Sequence, residues 1–457
     1  MSQRNNNVMT HVQKLTTGET IKEPAREIPV FAKCDILVVG GGPAGCAAAS
    51  SAAKLGADVI LVERYGHLGG MSTGGQSLWM YRQSDWEGKQ IITGYANDVL
   101  GRMPAGSIGG IPKDKIGSQD PELVSFWEKR SGAYHGMLTW SPVIDPEMLK
   151  ISYSDLLLER GAKLLLHSWA VAISYKDRVI DGVIFESKSG RYAINAKVVV
   201  DATGDGDIAN FTGSEYASDI IENHIHCGLN TAFRWGGVDY NKYANFWSTN
   251  RKEFNEIMTG AQEIAGSPAR PSASPRNDVA FSMGPRFYGY DCTDIWDLTE
   301  VEVHSRKIIL KLKDFFSKNL PGFEDAWILD TAPQIGVRHS RRIACDKTVT
   351  TKGWNSGVVF DDEIGICPPP RPGYKNISVP LGCIVPKNMD NLLVPGRALS
   401  CDVESHEPLR QIPICWLMGQ GAGIAAALAV KAGNSIRSVD YQKIRDNLKE
   451  QGAQLSR

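Results

Sequence analysis

Two short segments hold the side chains best suited to moving a proton and holding an anion. Arg338, His339, Arg341 and Arg342 stand together, and His406 and Arg410 bracket Glu407-Pro-Leu. A histidine titrates near neutral pH and suits proton transfer. An arginine offers a planar fork of donors to a carboxylate, an enolate or an electron-rich ring. Surface ion pairing or loop anchoring is the competing explanation for the arginines of the first segment. His224, His226 and Cys227 have ligand chemistry, but nothing near them completes a set, so no metal is expected.

The elements that would serve these residues begin at 36–39, an apolar β-branched run typical of a strand covered on both faces. Gly40, Gly42 and Gly45 follow at G-x-G-x-x-G spacing. The first glycine permits a tight turn, the second lets backbone approach a pyrophosphate, and the third lets a helix pack on the strand. A helix over 43–55 would open with Pro43 and Ala44 and present its free N–H groups to phosphate. A second strand over 58–63 ends in Glu63, 18 residues after Gly45, where an acidic side chain meets a ribose hydroxyl. A glutamate there argues against a 2′-phosphate. The spacing predicts a dinucleotide-binding unit and hence a redox cofactor.

With 457 residues the chain has room for two or three domains. A net charge of −1 offers no basic field for nucleic acid or an anionic membrane. The nine cysteines include no C-x-x-C pair, which predicts reduced thiols in the cytoplasm and argues against an iron–sulfur cluster or structural zinc. The first 30 residues are polar and lack a secretion-signal core. The apolar stretch 422–430 is too short to span a bilayer.

Further along, 148–160 reads as an amphipathic helix and 163–167 as a buried strand. Alternating segments at 170–175, 179–186 and 191–194 predict an antiparallel meander, ending in a separate buried strand at 197–201. The stretch 206–345 carries no nucleotide motif but many aromatics, among them Trp235, Tyr243, Trp247 and Tyr290. Within it, 266–278 is rich in Ser, Pro and Arg and predicts an exposed loop. Strands are expected at 378–385 and 392–394. A small-residue helix is expected at 412–432, with an interruption at its glycines 419–423, and a polar helix follows at the C-terminus.

Four motifs together resemble a known family. They are the glycine turn, Glu63-Arg-Tyr-Gly-His-Leu-Gly-Gly-Met71, Asp201-Ala-Thr-Gly-Asp-Gly-Asp207, and Asn391-Leu-Leu-Val-Pro-Gly-Arg397 with Gly419-Gln-Gly-Ala-Gly423. The chain is similar to FAD-dependent oxidoreductases of the two-dinucleotide-binding-domain superfamily. Relatives there include the fumarate reductase and succinate dehydrogenase flavoproteins and tricarballylate dehydrogenase. The run 331–342 resembles an internal signature of one branch. The resemblance implies an α/β fold: an FAD-binding doubly wound parallel sheet with an inserted meander, plus a mixed α+β substrate or cap domain. It implies an N-terminal extension (1–32), an FAD-binding domain in two parts (33–205 and 346–436), a cap (206–345) and a C-terminal helix (437–457).

The resemblance also implies roles. Gly40, Gly42, Pro43, Ala44 and Gly45 would meet the pyrophosphate, and Glu63 with Arg64 the adenosine ribose side. Gly69, Gly70, Met71 and Ser72 would run towards the flavin, and Val171 would meet adenine through its backbone. Thr203 and Gly204 would line the adenosine side, and Gly396 and Arg397 the ribityl chain. Gln420, Gly421 and Gly423 would set a helix N-terminus at the pyrimidine edge. His406, Arg410, Arg338 and His339 are the catalytic candidates. Trp79 and Tyr81 either wall the flavin or pack in the core. His67 fits poorly with the histidines that attach FAD covalently.

The expected activity is hydride exchange between flavin and a small organic substrate, a carboxylate or an aromatic, with His406 or a neighbour moving the proton. Oxygen or an external acceptor would take the electrons, and flavoproteins of this type often form homo-oligomers. The alternatives are a flavin monooxygenase acting on an aromatic ring and an electron-transfer subunit that needs a partner chain.

Overall fold

The computed structural model describes residues 15–218 and 228–456, so His224, His226 and Cys227 lie outside the described residues. Strand β1 (Val30–Val39) leads through the glycine turn into helix α1 (Pro43–Lys54) and strand β2 (Val59–Val62). Helix α2 (Pro146–Glu159), strand β3 (Lys163–Leu165), strands β4 (Trp169–Lys176), β5 (Val179–Ser187) and β6 (Gly190–Asp201), and the short helix α3 (Asp207–Phe211) follow. β1 pairs in parallel with β2 from Ile36↔Val59 to Val39↔Val62, and with β6 from Ile36↔Val198 to Val39↔Asp201. β3 extends the sheet beyond β2.

The last meander strand and the buried strand at 197–201 are one continuous strand, β6. Its first half pairs antiparallel with β5, up to Asn195↔Gly182, and its second half runs parallel to β1. One strand therefore belongs to both units. The same pairing draws β1 back to Val30, which bonds opposite Ala193, several residues before the apolar run begins.

Period-two alternation splits the strands between two cores. Ile36, Val38, Val59, Leu61, Val198 and Val200 face the helical side. Leu37, Val39, Ile60, Val62 and Val199 face Ile180, Val183 and Phe185 of the meander and Ile208 of α3. The architecture is mixed α/β with a sheet whose centre is parallel. Helices cover one face, whereas the meander and one short helix cover the other.

A second core is built from strand β7 (Phe233–Gly236), helices α4 (Tyr240–Thr249) and α5 (Arg251–Ala265), strand β8 (Val279–Ser282), helix α6 (Ile295–Asn319) and strand β9 (Trp327–Thr331). Trp235, Tyr243, Trp247 and Tyr290 are buried in it, so these aromatics are packing residues. The segment 266–278 is not an exposed loop. Ser267, Ala269 and Ala273 are buried, and Ser272–Ala273 adds a strand to β8.

The chain then returns to the first unit through strands β10 (Glu363–Cys367), β11 (Ile377–Pro380) and β12 (Leu392–Leu393), and helices α7 (Val403–Leu409), α8 (Ile412–Ala432) and α9 (Tyr441–Glu450). β12 pairs in parallel with β6 at Val199 and Val200. Helix α8 is uninterrupted. A Cβ at Gly419 would stand 2.1 Å from the Ala44 carbonyl oxygen, and one at Gly423 would stand 2.2 Å from that of Ala48. The glycines therefore let two backbones touch, and the dispersion attraction between them offsets the roughly 1 kcal/mol that each glycine costs a helix. By length and composition this 21-residue helix could cross a membrane, unlike the shorter 422–430 stretch, but it is buried between α1 and β10.

Gly423→Ala is expected to destabilise the fold by about 1–3 kcal/mol, because a methyl group cannot enter a backbone contact without displacing it. Thermal unfolding followed by circular dichroism checks this, with a lowered midpoint expected. An unchanged midpoint would contradict the close contact.

Candidate active site

The glycine turn works through three different constraints. Gly40 has φ +100°, and its Cβ would lie 2.4 Å from the Ala202 carbonyl oxygen. A Cβ on Gly45 would stand 1.8 Å from the Gly40 carbonyl oxygen, so α1 docks only without it. Gly42 is the opposite case: nothing lies within 4 Å of its Cβ position, and it opens onto a cavity of about 600 Å³. It is also the N-cap of α1 and has no side-chain cap, so the first N–H groups of the helix face that space. Open backbone, uncapped N–H groups and room beside them are what a dinucleotide diphosphate requires.

Glu63 ties this turn to the next strand. Gly41 N–H donates to its Oε2 at 2.6 Å and Tyr65 N–H to its Oε1 at 2.8 Å. Burial pushes its carboxyl up, against the pull of those two N–H groups. Arg64, Trp169, Ala170, Thr203 and Gly204 line the same end of the cavity. Arg397 closes its middle, pairing with Asp205 at 2.8 Å and donating to the Val337 carbonyl at 3.1 Å. Burial raises the Asp205 carboxyl, but Arg397 outweighs burial and holds it below the ordinary range.

Twelve of the sequence-derived cofactor residues line the cavity: Gly40, Gly42, Pro43, Ala44, Glu63, Arg64, Gly70, Met71, Thr203, Gly204, Gly396 and Arg397. Gly45, Gly69 and Ser72 stand behind its wall. Gly69 N–H donates to the Gly41 carbonyl at 2.7 Å, and the Ser72 hydroxyl donates to the Gly69 carbonyl at 2.7 Å. Val171 is off the cavity, and the residues just before it, Ser168, Trp169 and Ala170, are on it.

Gln420, Gly421 and Gly423 correct the expectation of a helix N-terminus at that point. They lie in mid-helix, and Gln420 Oε1 accepts from Tyr95 N–H at 3.2 Å. The start of α8 is at Ile412, and Gln411, Ile412, Ile414 and Cys415 line the cavity. Ala44 packs on Gly419 and Ala48 on Gly423, so the two helices run parallel. At 1.5 Å per residue, α8 therefore starts about 10 Å before the level of Ala44. The cavity thus has two helix N-termini, one at the glycine turn and one farther along.

The catalytic candidates divide. Arg338 and Arg410 line the cavity, but His339 and His406 do not, at 1% and 0% exposure. His406 Nε2 lies 2.6 Å from the Arg397 carbonyl oxygen, which can only accept, and its Nδ1 lies 3.0 Å from His339 Nδ1. The imidazole pair braces the Gly396–Arg397 turn from behind. Arg341 and Arg342 are anchors, on Asp207 and on the Cys401 carbonyl. Burial pushes the Arg338 guanidinium down, and neighbouring Arg410 and Arg286 push it further.

Sequence reading missed Arg82, Tyr134, Arg286 and Glu407, all of which line the cavity with Trp79 and Tyr81. The Trp79 and Tyr134 rings stack at 5.3 Å, and Tyr81 meets Trp79 at 4.6 Å. The eight cysteines among the described residues are buried and form no disulfide. Two of them, Cys367 and Cys415, line the cavity, where burial pushes their thiols up to about 12. Among the described residues no cluster suits a metal.

The family model of FAD dependent oxidoreductases matches residues 35–448. The chain belongs to that family. It is an enzyme, and its cofactor is FAD. This FAD dependent oxidoreductase is 26% identical over 170 residues to the digeranylgeranylglycerophospholipid reductase of Methanocella arvoryzae, covering 37% of this chain and 39% of that one. It is 27% identical over 193 residues to the glutathione reductase of Schizosaccharomyces pombe, covering 42% of this chain and 36% of that one. The matched segments thus span about two fifths of those relatives. Among solved structures, a geranylgeranyl bacteriochlorophyll reductase-like protein of Thermoplasma acidophilum is 14% identical with a TM-score of 0.47, covering 92% of this chain and 83% of that one. L-proline dehydrogenase of P. horikoshii is 14% identical with a TM-score of 0.45, covering 92% and 98%.

Two outcomes test the cradle of this FAD dependent oxidoreductase. Gly42→Ala is expected to leave the unfolding midpoint of the apoprotein unchanged and to weaken FAD binding at least tenfold by fluorescence titration, because its methyl group meets only the cavity. The second concerns Asp201, whose Oδ1 accepts from Thr203 N–H and Oγ1 and whose Oδ2 accepts from Ala209 N–H. Burial raises its carboxyl from 3.8 to about 6. A raised acid stabilises the fold below its unfolded value, and that stability is lost as pH rises through about 6. Asp201→Asn cannot titrate, so it should gain about 3 kcal/mol on the wild type between pH 4 and 7. Urea unfolding across that range measures the difference.

Proposed function

We propose that this oxidoreductase exchanges a hydride between FAD and a carbon atom of a small organic substrate seated beside Arg338 and Arg410. The observation that carries the reading is that one cavity joins the nucleotide cradle to an arginine-lined compartment. Bound FAD supplies the hydride acceptor or donor. The arginines hold and orient the substrate through charge-assisted hydrogen bonds. Met283, Pro368 and Pro370 add apolar surface to the lining.

His406 sits behind the cavity wall, so the proton falls to a neighbour. Glu407 lines the cavity and is close enough to Tyr81 and Arg338 to act electrostatically on both. It takes or returns the proton at the substrate, while His406 holds the Arg397 carbonyl in place. A dithiol relay is disfavoured, because Cys367 and Cys415 stay as thiols at neutral pH. The motif likeness to the fumarate reductase flavoproteins supports oxidation or reduction at carbon. The division into cofactor parts (33–205 and 346–436) and a substrate part (206–345) belongs to the same proposal, as do a cytoplasmic setting and an external acceptor or oxygen for the electrons.

Anaerobic titration of the FAD-loaded protein with small organic donors tests the reading. Loss of the oxidised flavin absorbance on adding the organic molecule alone is expected. Loss only with a nicotinamide donor plus an aromatic would replace hydride exchange by the monooxygenase reading. Glu407→Gln should retain FAD and slow flavin reduction about 10²-fold or more. Unchanged kinetics would remove Glu407 from the chemistry.

A further inference from the structure

Arg82 is unusual for a charged side chain. It is 2% exposed and lines the cavity. One terminal nitrogen donates to the Pro369 carbonyl, and the guanidinium lies 3.7 Å from the Trp86 ring centroid. Trp86 Nε1–H donates to the same carbonyl at 3.0 Å. The other two nitrogens, Nε and Nη1, have no hydrogen-bond partner. The Nε atoms of Arg286 and Arg338, which line the same compartment, are likewise buried without one. A buried guanidinium with unmet N–H groups is costly, and the cost is tolerated where an anion arrives to meet them.

Beside these arginines the lining has a different chemistry. Trp79, Tyr81 and Tyr134 form a continuous aromatic surface: Trp79 stacks on Tyr134, and the Tyr81 and Tyr134 rings meet edge to face at 5.7 Å. Trp79 Nε1 also lacks a partner. Flat rings favour offset or edge contact with another flat apolar body. Two acidic side chains, Glu404 and Glu407, line this part against four arginines, Arg82, Arg286, Arg338 and Arg410, which leaves an excess of positive charge.

Building on the hydride-exchange reading, we propose that the compartment takes an aromatic carboxylate, with its carboxylate on Arg82, Arg286 and Arg338 and its ring on Trp79, Tyr81 and Tyr134. The two carboxylate oxygens, with about four lone-pair sites between them, accept the unmet N–H groups singly, from more than one arginine. The ring covers the aromatic wall and excludes water from the reacting face. Aliphatic acids would satisfy the arginines but leave the wall wet, and neutral aromatics would cover the wall but leave the arginines unmet.

Calorimetric titration of the FAD-loaded protein with benzoate, benzyl alcohol and acetate tests this without turnover. Benzoate is expected to bind at least tenfold more tightly than either of the others, and more weakly as salt rises. Arg286→Gln, at a half-buried position, should weaken benzoate at least fivefold with FAD content unchanged. Arg82→Gln should do the same or more where it folds. Equal binding of benzyl alcohol overturns the anion contact, equal binding of acetate overturns the aromatic contact, and no binding of benzoate overturns both. Benzoate binding in a protein whose flavin no organic donor reduces would leave this inference standing while the hydride-exchange reading fails.

Discussion

The contact between α1 and α8 is the constraint on which the site depends. Ala44 and Ala48 on one helix meet Gly419 and Gly423 on the other, at a separation that excludes a single methyl group. Small residues on both sides let the two backbones lie in van der Waals contact, so the relative height of the helices is fixed by backbone shape. That height decides where each N-terminus emerges. Both open into one cavity, at two positions along its length, and the Gly396–Arg397 turn lies between them. Arg397 in turn depends on Asp205, on the Val337 carbonyl and on the buried His406 behind it.

The glycine turn was legible because its requirements are local. The φ of +100° at Gly40 and the clearance of Gly45 from the Gly40 carbonyl are set within a few residues, although Gly40 also has to clear the distant Ala202 carbonyl, and Glu63 follows one strand later. The meander was legible from alternation, although the fusion of its last strand with 197–201 was not. Alternation marks which side a residue faces, not which neighbour the backbone bonds to. Helix α8 was misread at its glycines for a similar reason. A glycine run in isolation weakens a helix, and only the partner helix turns it into a packing surface.

The substrate end was mostly illegible. Arg82 lies in 76–145, where no periodicity stands out, and its setting depends on Pro369, 287 positions away. His406 has a side chain suited to proton transfer, but α7 turns it inwards and presents Glu407 to the cavity instead. Neighbours on a helix face different ways, so sequence spacing alone does not say which of them faces a cavity. Asp330 on β9 pairs with Arg234 on β7 and accepts from Gln76 at 2.8 Å, which fastens that aromatic-rich core to the loop beyond the glycine turn.

β12 and α8 come late in the chain, yet they complete a sheet and a cradle begun before residue 45. A chain emerging from the ribosome must therefore make its first strand, helix and meander, then the whole cap, before Leu392 and Leu393 can join Val199 and Val200. Such long-range closure is slow, and it leaves one edge of β6 and the apolar flank of α1 uncovered in the meantime. The cradle lacks one of its walls until α8 has been made. A nonsense truncation before α8 would then give a product that has most of the nucleotide motif but lacks one wall of the cradle.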